Sequence, residues 1–557
     1  MDVAAASPPV LSSRGGGESL SLEATPSRLD APALDALREI VGKDAVEATA
    51  IARAAYARDL WPLGHIAFTA SGLELGAPFT PPDAVVRPKT TAEVSRILRL
   101  ANERGFAVVP WGAGSGVCGG TVHVRGGVAL DLKGMDRILK IEPRSLLVES
   151  QPGVNGQLFE DALNREGFTL GHFPSSIYCS TVGGWLAARG AGQLSTKYGK
   201  IEDRVVSMEV VLPTGEVIET VRSPRAAMGP DWNQLFVGSE GTLGVITKAV
   251  LGIREMPALR RFRAYDFAGV RPALEAMRLI LRRGVRPAAV RLYDEIDTLL
   301  VGKEGDHKEK PAEAPSGIAP FWPLSAISLS ALGNFLESLP REAARLGKKT
   351  LLAHPELANK ITGFIPNARC LLILSFEGDP FLVDAEEKVA HKACLDADGR
   401  DKGSEPAERW WRNRYAVSFK QSEVYREGGF VDTMEVATTW DRLFDLYQAM
   451  KEALSPHVLV LAHFSHAYPE GASIYFTCAA RLENPEDARV LYGKIWEAGM
   501  KAAVAQGAAV SHHHGIGLLK ADALKASMGP DFHAAFVRIK QALDPRNILN
   551  PGKLGLP

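Results

Sequence analysis

Three glycine-rich segments fall between Pro110 and Gly244. The first, Pro110–Gly120, holds Gly112, Gly114, Gly116, Gly119 and Gly120. The second is Ser180-Thr181-Val182-Gly183-Gly184-Trp185, which runs into Ala187-Ala188-Arg189-Gly190-Ala191-Gly192. The third, Gly238-Ser239-Glu240-Gly241-Thr242-Leu243-Gly244, leads into Val245-Ile246-Thr247. Backbone without Cβ atoms can approach a ligand closely, and its successive N–H groups can converge on an anion. The first segment lacks the Gly-Lys-Ser/Thr of a Walker loop and is no clean Rossmann fingerprint. Alone, it reads equally well as a surface loop. Three such segments in one unit allow loops to enclose a large dinucleotide.

The chain around them reads as α+β. Its 557 residues exceed one ordinary domain, so two or three lobes are expected. Residues 1–28, rich in Ala, Ser, Pro and Gly, read as a disordered tail, and residues 29–81 as a helical segment with a helix over Leu34–Ala52. Residues 82–256 mix helix and strand. Thr90 opens a helix whose apolar face is Val94, Ile97, Leu98 and Ala101. Strands are expected at Ala107–Pro110, Val128–Leu132, Leu146–Ser150, Ser207–Leu212 and Val217–Glu219, the last two joined by a Pro213-Thr214-Gly215 turn. Residues 257–505 have longer elements and fewer glycines, interrupted by an exposed Lys303–Pro315 stretch, and residues 506–557 form a closing segment.

Composition narrows the function. Lys plus Arg is 64 against 65 for Asp plus Glu, which argues against bulk binding to nucleic acid. The five cysteines are scattered without a Cys-x-x-Cys, so neither a disulfide scaffold nor a structural zinc site is expected. No apolar run is long enough to span a bilayer. The N-terminus carries no basic n-region, and the terminal Gly-Leu-Pro is no peroxisomal tripeptide. The expected setting is cytoplasmic, either free or in peripheral contact with a membrane.

Two clusters carry chemistry. His512-His513-His514 lies in a polar, glycine-flanked stretch. On a strand, His512 and His514 would point into a site and His513 away; a loop would relax this. Tyr475 lies in an alternating Ala472–Thr477 strand, and a phenolate role would need its pKa lowered by a neighbour such as His514 or Arg291. Arg291 suits an anion clamp or an ion pair with Asp294 or Glu295.

Residues 82–256, with the ending Leu543-Asp544-Pro545-Arg546-Asn547-Ile548-Leu549-Asn550-Pro551-Gly552-Lys553-Leu554, resemble the vanillyl-alcohol-oxidase, or p-cresol methylhydroxylase (PCMH), family. The alkyldihydroxyacetonephosphate synthase branch is the nearest likeness, through Ser180–Trp185, Tyr198–Asp203, Gly238–Thr247, Ala289–Leu292, Gly471–Phe476 and Ser511–Gly517. The resemblance implies a PCMH-type FAD-binding domain of two α+β subdomains over 82–256. It also implies an α+β cap with a large antiparallel sheet over 257–505, and a segment 506–557 returning to the FAD domain. FAD would be non-covalent, with Pro110, Gly112, Ala113, Gly114, Ser115, Gly116 and Val117 at the diphosphate. Ser175, Ser176, Thr181, Gly184, Gly192, Ile201, Glu240, Thr242 and Ile246 would line it, and Tyr475, His512, His513, His514, Arg291 and Lys420 would carry catalysis. The implied reaction exchanges the acyl group of acyl-dihydroxyacetone phosphate for a fatty alcohol, without net redox change. A small-molecule or lipid substrate and a homodimer go with it.

The chain departs from that branch where an arginine is expected about twenty residues before Trp440-Asp441-Arg442; Gln421 stands there, beside Lys420. The alternative is an FAD-linked oxidase or dehydrogenase of a D-2-hydroxy acid or alcohol. Metal-dependent dehydrogenases of that kind carry Glu-His-Gly-Ile-Gly and a Gly-Asp-Gly-Asn segment; here His513 replaces the glutamate and the upstream segment reads His463-Phe464-Ser465-His466. A metal on His463, His466 and His514 is conceivable, but no metal is expected. Cys179 lies where some relatives attach flavin, yet its Gly-Gly-His partner is missing, so an ordinary thiol is expected.

Overall fold

A computed structural model describes residues 28–64, 66, 80–301, 359, 369–416, 429–482 and 484–557. Residues 1–27 of the expected tail, Lys303–Pro315, Lys420 and Gln421 lie outside the described residues. The helix expected over Leu34–Ala52 is instead two, Ala31–Val41 and Ala50–Ala55, with a short strand Val46–Glu47 between them. Gly42 ends the first at φ 90°, and Thr49 caps the second. Val46 and Glu47 pair with Val86 and Val85, so a tertiary partner outweighs helical periodicity.

That strand edges a four-stranded sheet in the order Val46–Glu47, Ala84–Val86, Val128–Asp131, Val108–Trp111. The last three run parallel. Their crossover helix Thr91–Arg104 opens with a capping box between Thr90 and Glu93 and buries Val94, Ile97, Leu98 and Ala101, as its pattern predicts. The first glycine loop leaves the carboxyl end of Val108–Trp111, where open parallel sheets bind ligands. A five-stranded antiparallel sheet follows, in the order Ile138–Glu142, Leu147–Ser150, Val245–Gly252, Val205–Val211, Val217–Glu219.

Among the described residues, a seven-stranded antiparallel sheet forms the cap. Its order is Arg400–Asp401, Leu259–Phe267, Cys370–Gly378, Ala289–Tyr293, Leu459–Ala467, Gly471–Arg481, Gly429–Thr439. Strand parity divides its faces. Val460, Ala462, Phe464, Ile474, Phe476, Cys478, Met434 and Val436 join the largest apolar core, under helices Val270–Arg282, Trp440–Leu454 and Pro485–Ala505. Arg291, Tyr293, Leu459, Leu461, His463, Ser465, Tyr475, Thr477 and Ala479 face a cavity shared with the glycine loops. Register aligns Tyr293, His463, Tyr475 and Glu435 in one row across four strands. A slip of one residue would turn the whole row away. No described helix is long and apolar enough to cross a membrane.

The C-terminal segment closes over the glycine loops. Val108 N–H donates to the Ile548 carbonyl at 2.8 Å, and Asn550 N–H to the Val108 carbonyl at 2.9 Å. The Asn550 amide donates to the Gly120 and Glu240 carbonyls at 2.9 and 2.6 Å. Asp544 anchors this return: it accepts from Ile548 N–H at 3.0 Å, Leu549 N–H at 2.8 Å and the buried Lys540 ammonium. Asp544→Ala strands that buried charge and should cost about 3–5 kcal/mol. A denaturant midpoint unchanged from wild type would contradict this anchoring role.

Candidate active site

One cavity of about 1420 Å³ joins the glycine loops to the cap sheet. Pro110, Gly112, Ala113, Gly114, Ser115, Gly116, Val117, Ser175, Ser176, Thr181, Gly184, Glu240 and Ile246 line it, with Arg291, Tyr475, His513 and His514. Gly192, Ile201, Thr242 and His512 do not. Ile201 and Thr242 are fully buried, and a Cβ on Gly192 would stand 2.4 Å from Phe173 N. These three back the wall; they do not form its surface.

The histidines sit on a loop held by Glu435, a residue with no exposed side-chain surface. Its Oε1 accepts from the N–H groups of His512, His513 and His514 at 3.2, 3.1 and 2.7 Å, and from Ser511 Oγ at 2.6 Å. Its Oε2 takes the buried Lys520 ammonium. Burial pushes Glu435 up, but Lys520, His514 and Ser511 outweigh it and hold the carboxylate below its ordinary range. The loop relaxes the alternation that a strand would impose. His513 and His514 face the cavity, while His512 turns to Tyr468, 3.1 Å from Nε2 to Oη. Lys200 Nζ donates to the His512 carbonyl at 2.6 Å.

The Tyr475 ring lies between two near-parallel imidazoles, His463 at 4.6 Å and 23° and His513 at 6.2 Å and 17°, with His514 edge-on at 5.4 Å. Burial pushes its hydroxyl up to about 12, outweighing Thr433 and Arg291. The lowered pKa that a resting phenolate needs is therefore not present. Burial also keeps His463, His466, His512, His513 and His514 neutral, each below its ordinary value.

Arg291 pairs with neither Asp294 nor Glu295. Asp294 bonds Lys451 and Tyr447 on the other face of the sheet, at 3.0 and 3.1 Å. Arg291 Nη2 instead donates to His463 Nε2 at 2.8 Å. An arginine cannot accept, so the His463 proton lies on Nδ1, 3.4 Å from Asp297. Arg291 Nε is buried without a partner, which leaves a donor for a ligand. His463, His466 and His514 do not come together as a metal set. His466, His512 and His513 do, with one nitrogen of each within 4.8 Å.

Residues 82–221 match the FAD binding domain family, and residues 256–554 match the family of FAD linked oxidases, C-terminal domain. The chain belongs to the FAD-linked oxidases. The alkyldihydroxyacetonephosphate synthase of Trypanosoma brucei brucei is 28% identical over 540 residues, covering 94% of this chain and 80% of that protein. A solved structure of an alkyldihydroxyacetonephosphate synthase superposes with TM-score 0.72 at 24% identity, covering 96% of this chain and 88% of that one. Substrate-bound p-cresol methylhydroxylase superposes with TM-score 0.69 at 19% identity, covering 95% and 98%. The fold is PCMH-type.

FAD is thus the cofactor of this chain, and the residues fit it. The cavity exceeds the roughly 300–1,000 Å³ of ordinary small-molecule sites. A Cβ on Gly112 would stand 2.6 Å from Thr181 Oγ1, so only glycine keeps that cradle open. Sequence reasoning passed over Glu435, Lys520, Asp297, Lys200 and Ser195, whose Oγ lies 2.6 Å from His466 Nδ1. The one local signal was an acidic residue in the alternating strand Gly429–Thr439.

Seven buried histidines have folded values below the ordinary 6.5: the five above, His123 at about 4 and His172 at about 3. As pH falls, the unfolded chain takes up protons first. Stability is therefore present above about pH 6.5 and lost below it, by up to about 1.4 kcal/mol per pH unit for each histidine. Buried carboxylates act in the opposite sense over the same range, Asp59, Glu160 and Asp297 being raised to about 7 and Asp432 to about 6, so the histidine contribution is read by difference. His172→Phe removes one buried imidazole that has no hydrogen-bond partner, and its thermal midpoint should fall less than that of wild type between about pH 7.5 and about pH 5. Parallel profiles would show His172 to be protonated or exposed in the fold.

Proposed function

We propose that this FAD enzyme catalyses the alkylglycerone-phosphate synthase reaction of ether-lipid synthesis, replacing the acyl group of acyl-dihydroxyacetone phosphate with a fatty alcohol. The observation that carries this reading is Tyr475, stacked between neutral imidazoles in the same cavity as Arg291 and the glycine loops. Non-covalent FAD would supply the electron sink for exchange at the carbon that bears the acyloxy group. Arg291 offers its unpartnered Nε to the substrate phosphate, and His463 with Asp297 fixes the guanidinium. Leu459, Leu461, Val431 and Ala479 give the cavity an apolar arm suited to a fatty chain. Tyr475 rests protonated, so it takes a proton from the substrate only as its own leaves, and His513 and His514 stand beside it as acceptors. The bond from that carbon to the acyloxy oxygen breaks and one to the alcohol oxygen forms; the proton taken from the carbon returns to it, and the alcohol proton leaves with the fatty acid. The substrate and the reaction suit a homodimer in peripheral contact with a membrane.

A second reading, a dehydrogenase of a D-2-hydroxy acid or alcohol, is favoured by the grouped nitrogens of His466, His512 and His513, which suit a metal. Anaerobic mixing separates the two. Ether-lipid product without lasting flavin bleaching is expected; stable bleaching by a hydroxy acid, abolished by chelation, would establish the second reading. Tyr475→Phe keeps the ring and should leave the flavin spectrum near normal while lowering turnover by roughly two to four decades. Near-wild-type turnover would make the hydroxyl structural.

A further inference from the structure

Residues 28–64 precede both matched segments, yet their end packs onto the first glycine loop. Leu60 N–H donates to the Gly116 carbonyl at 2.9 Å. The Trp61 ring occupies the space beside Gly119, where a Cβ would meet it at 2.7 Å. Its indole N–H donates to Tyr492 Oη at 2.9 Å, which in turn donates to Asp432 at 2.6 Å in the cap. This wedge delivers Asp59 to the cavity wall.

Asp59 is 3% exposed. Its Oδ1 accepts from Trp61 N–H at 3.1 Å; its Oδ2 makes no hydrogen bond. A Cβ on Gly116 would stand 3.6 Å from that oxygen. The Thr121 hydroxyl lines the same cavity and is also buried without a partner. The nearest cation does not answer Asp59 directly: Lys553 Nζ donates to the Val122 and Pro551 carbonyls. Burial pushes Asp59 up to about 7. The Thr121 N–H also reaches the Asp59 carboxylate, which makes the two residues neighbours on the cavity wall. A carboxylate oxygen and a hydroxyl left unsatisfied there are unfavourable unless something is to be held.

The chemistry selects the group. A phosphate oxygen is repelled by a carboxylate, and an apolar ring offers it nothing. A sugar hydroxyl donates to the carboxylate and accepts from the threonine hydroxyl, as carboxylates do for ribose in dinucleotide sites. FAD carries such hydroxyls on both sides of its diphosphate, on the ribityl chain and on the adenosine ribose. We infer that Asp59 and Thr121 bind a sugar hydroxyl of FAD, which makes the N-terminal segment part of the cofactor site. The inference rests on FAD as the cofactor and on neither proposed reaction.

The test uses full-length holoenzyme of Asp59→Leu, Asp59→Asn and Thr121→Val, with FAD release on dilution followed by flavin fluorescence. Asp59→Leu should weaken FAD about ten- to hundred-fold, and the other two less. Saturating FAD should return the thermal midpoint to the wild-type value or above, because an unsatisfied buried carboxylate has been removed. Should Asp59→Leu fail to fold, Asp59→Asn carries the test, with several-fold weaker FAD expected. Displacement of FAD by FMN and by ADP-ribose locates the hydroxyl: loss confined to FMN assigns the ribityl chain, and loss confined to ADP-ribose the ribose. Variants that hold FAD as tightly as wild type overturn the inference. With a lowered midpoint that result makes Asp59 a purely structural partner of Lys553; with an unchanged midpoint it makes Asp59 neutral.

Discussion

Glu435 holds the His512–His514 loop by its backbone, not by its rings. Three successive N–H groups and the Ser511 hydroxyl converge on one carboxylate oxygen, and Lys520 neutralises the other. Such a concave set of N–H groups is a natural anion site, here filled from within the protein. Because the carboxylate takes the backbone, the three imidazoles are free to fan out: His513 and His514 to the cavity, His512 to Tyr468. Glu435 is also the cross-strand neighbour of Tyr475. One residue therefore places both the loop and the ring stacked against it.

The electrostatics follow from burial. Five imidazoles close together would repel one another if charged, and desolvation keeps them neutral. Beside them stands Arg291, directed by His463, while the Glu435–Lys520 pair is buried behind the loop. Arg369, Lys402, Arg409 and Arg414 line the same cavity, so the site offers cations to a substrate anion beside a set of neutral proton carriers. That suits chemistry in which a proton moves while no charge accumulates.

Much of this was legible in the sequence. Successive glycines, a capping Thr-x-x-Glu and strict alternation around Tyr475 are local signals, and the loops, the Thr91–Arg104 helix and the Gly471–Arg481 strand follow them. Local signals fall short where a distant partner decides. Strand alternation would put His512 and His514 on one face, but Glu435, far away in the chain, sets the loop. The Leu34–Ala52 pattern yields to pairing with Val85 and Val86. Closeness in sequence offers Asp294 and Glu295 to Arg291, but strand parity sends 291 and 294 to opposite faces, and the partner is His463 on a neighbouring strand. Asp59 carried no signal, because an orphaned carboxylate is recognisable only once the cavity around it is known.

Hydrogen exchange of the 511–517 amides in Glu435→Gln holoenzyme tests most directly whether the Glu435 carboxylate holds the histidine loop. An amide side chain keeps one acceptor oxygen but leaves Lys520 buried without its counter-charge. The His512, His513 and His514 amides should lose protection by at least about tenfold while the Gly471–Arg481 strand keeps its own. Unchanged protection at those three amides would contradict it.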